Sequence, residues 1–173
     1  MEIRAYEPGD ADGLWACKRA FELGLGTGTG SEDKAEKYEG KLTDSYRAEW
    51  FDWVDRCTDE DARCVTVAVD ENGGDDGDGN HDEIVGYVFV LPESMGFIWD
   101  SAVLNEIYVD PDYRGEGVGD DLMGAALDLA ADQDLPLDRI VLDVDPENER
   151  ARAFYDRYGF EHWGELVARD LPE

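Results

Sequence analysis

The sequence predicts one α/β domain, and three observations carry that expectation. Two β-rich runs, 65–69 and 84–90, flank a Gly/Asp-rich connection, as the arms of an antiparallel pair do. Two more strand candidates, 103–109 and 140–144, are each followed by a turn and a pattern of helical period. The length of 173 residues fits a single domain, 1–173. At that size about 70% of the unfolded surface is buried without help from a disulfide or metal.

In chain order, residues 3–6 form a short strand. Pro8-Gly9-Asp10 then supplies a turn and an N-cap for a helix with Leu14, Trp15, Lys18 and Phe21 on neighbouring turns. Residues 23–31 contain four glycines and two threonines and read as a mobile loop. Tyr46, Trp50, Trp53, Val54 and Cys57 recur at helical spacing and give a second helix an aromatic face, which is more often core than an acceptor pocket. The connection 71–83 suits a hairpin loop. Its Asp76, Asp78 and Asn80 have calcium-loop spacing, but His81 and Tyr87 stand at the sixth and twelfth positions, so the EF-hand pattern fails.

Asp110-Pro111-Asp112 stops the strand at 103–109, and residues 118, 122, 125, 126 and 129 make one helical stripe. Ile140, Leu142 and Val144 alternate as a strand. A final helix carries Ala151, Phe154, Tyr155 and Tyr158 on one side and ends at Gly159, after which 160–167 can return as a strand or hairpin.

Composition narrows the function. The formal net charge is −29, so phosphate backbones and anionic membrane surfaces are repelled and nucleic-acid binding is excluded. With 42% hydrophobic residues and five Trp the chain is nonetheless a folded protein. The bases are 11 Arg and only 4 Lys, a balance that suits concentrated salt and resembles proteins of salt-in halophiles. Cys17, Cys57 and Cys64 are odd in number and have only His81 and His162 to join them, so neither a disulfide framework nor a metal site is indicated. The longest apolar run, 84–91, is too short to span a membrane, and no basic-then-apolar signal pattern opens the chain. A reducing, cytoplasmic location is expected.

The strongest chemical signal is Arg114-Gly115-Glu116-Gly117-Val118-Gly119, placed between a strand and a helix. Glycines let a ligand approach the backbone, and the first N–H groups of the helix, at its positive dipole end, suit a phosphate or pyrophosphate. A dinucleotide fingerprint would need Gly or Ala where Asp120 stands, and no Gly-Lys-Ser/Thr of a P-loop is present. A tight turn that binds nothing is the plain alternative.

Arg-x-x-Gly-x-Gly after a strand, followed by Asn148-x-x-Ala151-x-x-Phe154-Tyr155-x-x-x-Gly159-Phe160, resembles the GNAT family of acyl-CoA-dependent N-acetyltransferases. The resemblance is specific over 103–160, weaker at 3–14 and absent between 24 and 61, where the family usually selects its acceptor. It implies a central, mixed but mostly antiparallel sheet with helices on both faces, and strands 103–109 and 140–144 splayed around acetyl-CoA as co-substrate. It further implies that the amides of Arg114 to Gly119 hold the CoA pyrophosphate and that Val109 bonds the pantetheine and thioester. Ile107, Tyr108, Asn148, Ala151 and Phe154 join the cofactor-binding set, although capping explains Asn148 equally well. The implied partners are an amine acceptor and, since the family is often dimeric, a second copy; no metal is required.

Glu106 sits between Leu104 and Tyr108 on one, otherwise apolar, face of its strand. An unpaired carboxylate there would be costly to bury and would hold a proton more firmly, which suits the general base the family often places on this strand. An edge carboxylate facing solvent is the plain alternative. Tyr155 diverges by about 100° from Phe154 on a helix, so Phe154 is expected in the core. The Tyr155 hydroxyl then stands as the general acid that the resemblance implies for the departing thiolate. A non-catalytic acyl-CoA-binding module is the alternative function.

Overall fold

The computed structural model describes residues 1–28, 32–72 and 82–172, in two compact units, Met1–Leu142 and Asp143–Glu173. The calcium-loop spacing of Asp76, Asp78 and Asn80 lies outside the described residues.

The first unit is built on a five-stranded sheet in sequential order, β1 (Glu2–Ala5), β2 (Val65–Asp70), β3 (Glu83–Val90), β4 (Ala102–Val109) and β5 (Ile140–Val141). The β1–β2, β2–β3 and β3–β4 pairs are antiparallel, and β4–β5 is parallel. Helices cover both faces because neighbouring residues of a strand point opposite ways. Tyr87 and Phe89 face α1 (Ala11–Gly28) and α3 (Asp44–Glu60), with the Trp53 ring 4.8 Å from that of Phe89. Gly86 faces α4 (Val118–Asp132), and a Cβ there would lie 2.7 Å from the Tyr108 carbonyl oxygen and 3.3 Å from Leu122 Cδ1. The absent side chain lets α4 approach the sheet.

Local chemistry explains most element ends. Thr43 caps α3 by accepting from the Tyr46 N–H, and Trp50, Val54 and Cys57 form its buried stripe. In α4 the buried positions are Val118, Leu122, Met123, Ala126 and Leu129, so Met123 replaces the expected Ala125. The Asp10 carboxylate caps no amide of α1. It accepts from the Glu7 N–H at 2.9 Å and takes a two-pronged ion pair from Arg4 at 2.7 and 2.8 Å.

Three expectations change. Of the glycine-rich 23–31 stretch expected as a loop, the described part, 23–28, is helical, since α1 runs to Gly28 and packs on α2 (Glu32–Gly40). Each interior glycine costs a helix about 1 kcal/mol, and this packing outweighs that cost. The strand expected at 140–144 shortens to two residues. In the second unit α5 (Glu149–Asp156) ends as expected at Gly159, with φ 80° and the Phe160 N–H bonded back to the Tyr155 carbonyl. Residues 160–167, however, form no strand. Among the described residues no helix is long and apolar enough to cross a membrane.

The Arg4–Asp10 pair makes stability depend on pH. The hydrogen bond from Arg4, against some opposing burial, holds Asp10 below the ordinary carboxylate range. Its contribution is therefore whole above the unfolded value of about 3.9 and is lost as pH falls through the lower folded value. Asp10→Asn is expected to lower stability at pH 7 by about 1 kcal/mol and to converge with the parent in strong acid, as followed by urea unfolding across pH.

Candidate active site

Strand β4 has two unlike edges. Along β3 it is paired from Leu104 to Val109, with a bulge at Asn105, since Phe89 faces Glu106 while Val90 faces Leu104. Along β5 only Ala102 and Val103 are paired. A bulge bends its strand and increases its twist, so β4 leaves β5 where Asn105 is inserted. The Asp110 N–H donates to the Val85 carbonyl on β3 at 2.8 Å. By alternation, Ile107 and Val109 turn their N–H and C=O groups to the other edge, beyond the reach of β5.

The chain then turns through Asp110-Pro111 into the glycine segment. Gly115 and Gly117 have φ of 85° and 91°, a left-handed backbone that other residues adopt only under strain. Gly117 is the N-cap of α4 and contributes no capping side chain. A Cβ on either glycine would meet nothing within 4 Å, so the turn is open on its outer side. Arg114 is fixed against it. Its Nε donates to the Val109 carbonyl at 2.9 Å, and its guanidinium lies 6.0 Å from the Tyr108 ring centroid. A left-handed glycine turn, the uncapped start of a helix and a pinned cation together suit a phosphate. Glu116 is exposed there, and Asp120 and Asp121 lie in the first turn.

Glu106 is neither unpaired nor facing solvent. Only 6% exposed, its carboxylate accepts from Lys18 Nζ at 2.5 Å on Oε1 and from the Tyr87 hydroxyl at 2.6 Å on Oε2. Lys18 also donates to Glu22 Oε1 at 2.5 Å, and Lys41 Nζ lies 2.7 Å from Glu22 Oε2. Burial by itself would lower the Lys18 ammonium, but Glu106 and then Glu22 outweigh it and hold Lys18 above its ordinary value. Burial first, then the Glu106 charge, push the Tyr87 hydroxyl well up. These partners escaped the sequence reading of Glu106. A signal was available in Lys18, one of four lysines in the chain, placed on the apolar stripe of its helix four residues before Glu22.

The remaining candidates lie in the second unit. Asn148 caps α5, its Oδ1 accepting from the Ala151 N–H at 3.1 Å, which is the capping role weighed from sequence. Phe154 does not enter a core. It is half-buried among the rings of Tyr155 and Tyr158, and no residue of α5 is fully buried. Within this unit the following segment supplies no strand to cover it. Burial pushes the Tyr155 hydroxyl up to about 12, so it carries its proton at neutral pH. All three cysteines are buried and free, and burial raises Cys17 and Cys64 to about 12 and Cys57 to about 11, which makes them poor nucleophiles.

Residues 30–160 match the acetyltransferase (GNAT) family. The chain is 31% identical to a mycothiol acetyltransferase of Salinispora tropica, over 99% of its own length and 48% of the relative's, so it spans about half of that protein. It is 28% identical to a peptidyl-lysine N-acetyltransferase of Salmonella typhimurium, over 75% of this chain and 71% of the other. In fold it is similar to the PaiA N-acetyltransferase of Thermoplasma acidophilum, solved in complex with coenzyme A, with a TM-score of 0.68 at 19% identity over 92% of this chain and 89% of that one.

The hydroxyl of Tyr87 is the most direct handle on the Glu106 cluster. Tyr87→Phe leaves a buried carboxylate oxygen without its donor and is expected to cost about 1–3 kcal/mol. Urea unfolding with an unchanged m-value checks it.

Proposed function

Because the chain belongs to the GNAT acetyltransferase family, we propose that it moves an acetyl group from acetyl-CoA to a primary amine by direct transfer. One observation supports this reading above the others: β4 is no longer paired with β5 beyond Val103, and its far end leads into an open glycine turn that starts α4. The edge would receive the pantetheine arm, and the turn the pyrophosphate.

When bound, acetyl-CoA supplies an activated thioester. The chain's part is then to place donors and move protons. The backbone N–H of Val109, with that of Ile107, would donate to the thioester carbonyl oxygen and stabilise the negative charge that develops on it. The Val109 carbonyl accepts from Arg114, which ties the strand end to the glycine turn. Glu106 would accept a proton from the amine, directly or through a water, on Oε2, which among the described residues accepts from the Tyr87 hydroxyl alone and keeps a second lone pair. Tyr155 would give its proton to the departing sulfur. Direct transfer agrees with three buried thiols held far above neutral pH.

The charge of −29 is proposed as an adaptation to a salt-rich cytoplasm rather than to one basic partner. Repulsion among surface carboxylates is screened as the Debye length shrinks to about 3 Å at molar salt. The midpoint of unfolding is therefore expected to rise with KCl over the molar range. A flat or falling midpoint returns the charge to a partner-binding role.

The function is tested by thiol release from acetyl-CoA in molar KCl against a lysyl peptide, a peptide with N-terminal alanine, and spermidine. Transfer to one of these amines is expected. Tyr155→Phe keeps the ring and removes the proton, and turnover should fall about 10²-fold or more with coenzyme A affinity by calorimetry nearly unchanged. Rates like the parent's in Tyr155→Phe remove its assignment. Tight binding of coenzyme A without transfer to any amine favours the acyl-CoA-binding module.

A further inference from the structure

Lys18 is 2% exposed in a chain that has only four lysines. A second of the four, Lys41, belongs to the same cluster. Burying an ammonium is unfavourable unless it is paired, and Lys18 is paired on both sides, by Glu22 from its own helix and by Glu106 from β4. The Trp50 and Phe21 rings lie 5.3 and 5.5 Å from its Nζ and complete the enclosure.

The cluster is balanced in charge but graded in exposure. Two buried carboxylates face one buried ammonium, and the second ammonium, Lys41, meets Glu22 at the more exposed end, with its side chain 37% exposed. The other groups facing the cluster are the Tyr87 hydroxyl from β3, the Asn105 amide, 3.4 Å from Glu106 Oε1, and the thiol of Cys17, next to Lys18 on α1. Replacing such a buried ionic group with apolar residues is often neutral or stabilising. Stability alone therefore gives no reason for a chain of four charges ending at Glu106.

We propose that Lys18 is the positioning residue for Glu106, resting on the acetyltransferase reading above: its ammonium, shared between Glu106 and Glu22, keeps the Glu106 carboxylate charged and fixed in orientation for accepting the proton of the amine. In that step an N–H bond of the substrate ammonium breaks and an O–H bond forms on Glu106. The freed nitrogen pair forms a C–N bond to the thioester carbonyl carbon as the C–S bond breaks, and the departing thiolate takes the Tyr155 proton. The second proton shed by the nitrogen restores Tyr155 by way of solvent, and the proton on Glu106 leaves to solvent. Lys18 keeps its own protons throughout. Glu22 and Lys41 set how much of the Lys18 charge Glu106 feels. Glu22 draws that charge away, and Lys41 competes for Glu22 and returns part of it.

The arrangement makes opposite demands of two substitutions. Lys18→Met keeps the length of the side chain and removes the charge. The acid limb of its kcat/KM profile, measured by thiol release from acetyl-CoA with the most reactive amine of the panel above, is expected to move to higher pH by about one unit or more. Glu22→Gln leaves Lys18 to Glu106 alone, and the same limb should move to lower pH. A residue with a merely structural role lowers the rate without moving the limb. Limbs that stay in place in both variants overturn the proposal, and if Lys18→Met does not fold, Glu22→Gln decides by the same criterion.

Infrared difference spectra between each protein and its Glu106→Gln counterpart give a readout that needs no acceptor. At matched pH on the acid side, the parent should show the carboxylate stretch of Glu106, and Lys18→Met the carbonyl stretch of a protonated acid. A carboxylate in both overturns the proposal. A rate in Glu106→Gln equal to the parent's removes Glu106 as base and with it the functional reading, whatever the infrared result shows of Lys18.

Discussion

Strand β4 is held on one edge and released on the other, and the features of the first unit's site follow from that asymmetry. Pairing with β3 continues past the Asn105 bulge to Val109, while pairing with β5 ends at Val103. The same strand therefore turns the Glu106 side chain into the packed face beneath α1 and offers the backbone of Ile107 and Val109 at its free edge. A carboxylate that needs a low-dielectric, well-bonded setting and amides that need an open one are carried within four residues. Asp110-Pro111 then ends the strand, and Gly115 and Gly117 bend the chain into α4 in a backbone region closed to most residues.

The molecule carries two electrostatic regimes that respond differently to salt. Its surface is crowded with carboxylates whose mutual repulsion is long-ranged and easily screened. Beneath that surface, Glu106, Lys18 and Glu22 meet at contact distance and away from water, where mobile ions have little access. The exterior charge can thus vary without disturbing the contacts of the proposed base. Lys41, half-exposed at the end of the cluster, is the member on which solvent salt acts.

Much of this was legible in the sequence because the relevant signals are local. The antiparallel β2–β3 pair, the stripes of α3 and α4, the turn that opens α4 and the stop at Gly159 all rest on periodicity or on residues with special backbone freedom. What was misread depends on distant contacts. The glycines of 24–28 suggested a loop, yet α1 is carried through them by packing against α2. Glu106 suggested an unpaired carboxylate because its ammonium lies 88 residues away. Phe154 was expected to take a core position by helix geometry alone, but periodicity cannot say whether anything packs on a short helix. The bulge at Asn105 left only a faint trace, a poor strand former between Leu104 and Glu106.

The central claim is that coenzyme A is held by the released edge of β4 and the first amides of α4. Amide hydrogen exchange of the full chain in molar KCl, with and without saturating coenzyme A, tests it most directly. The account predicts slowed exchange at Ile107, Val109, Val118 and Gly119 when coenzyme A binds. Unchanged exchange at these four amides, under conditions where calorimetry shows the site filled, would contradict it.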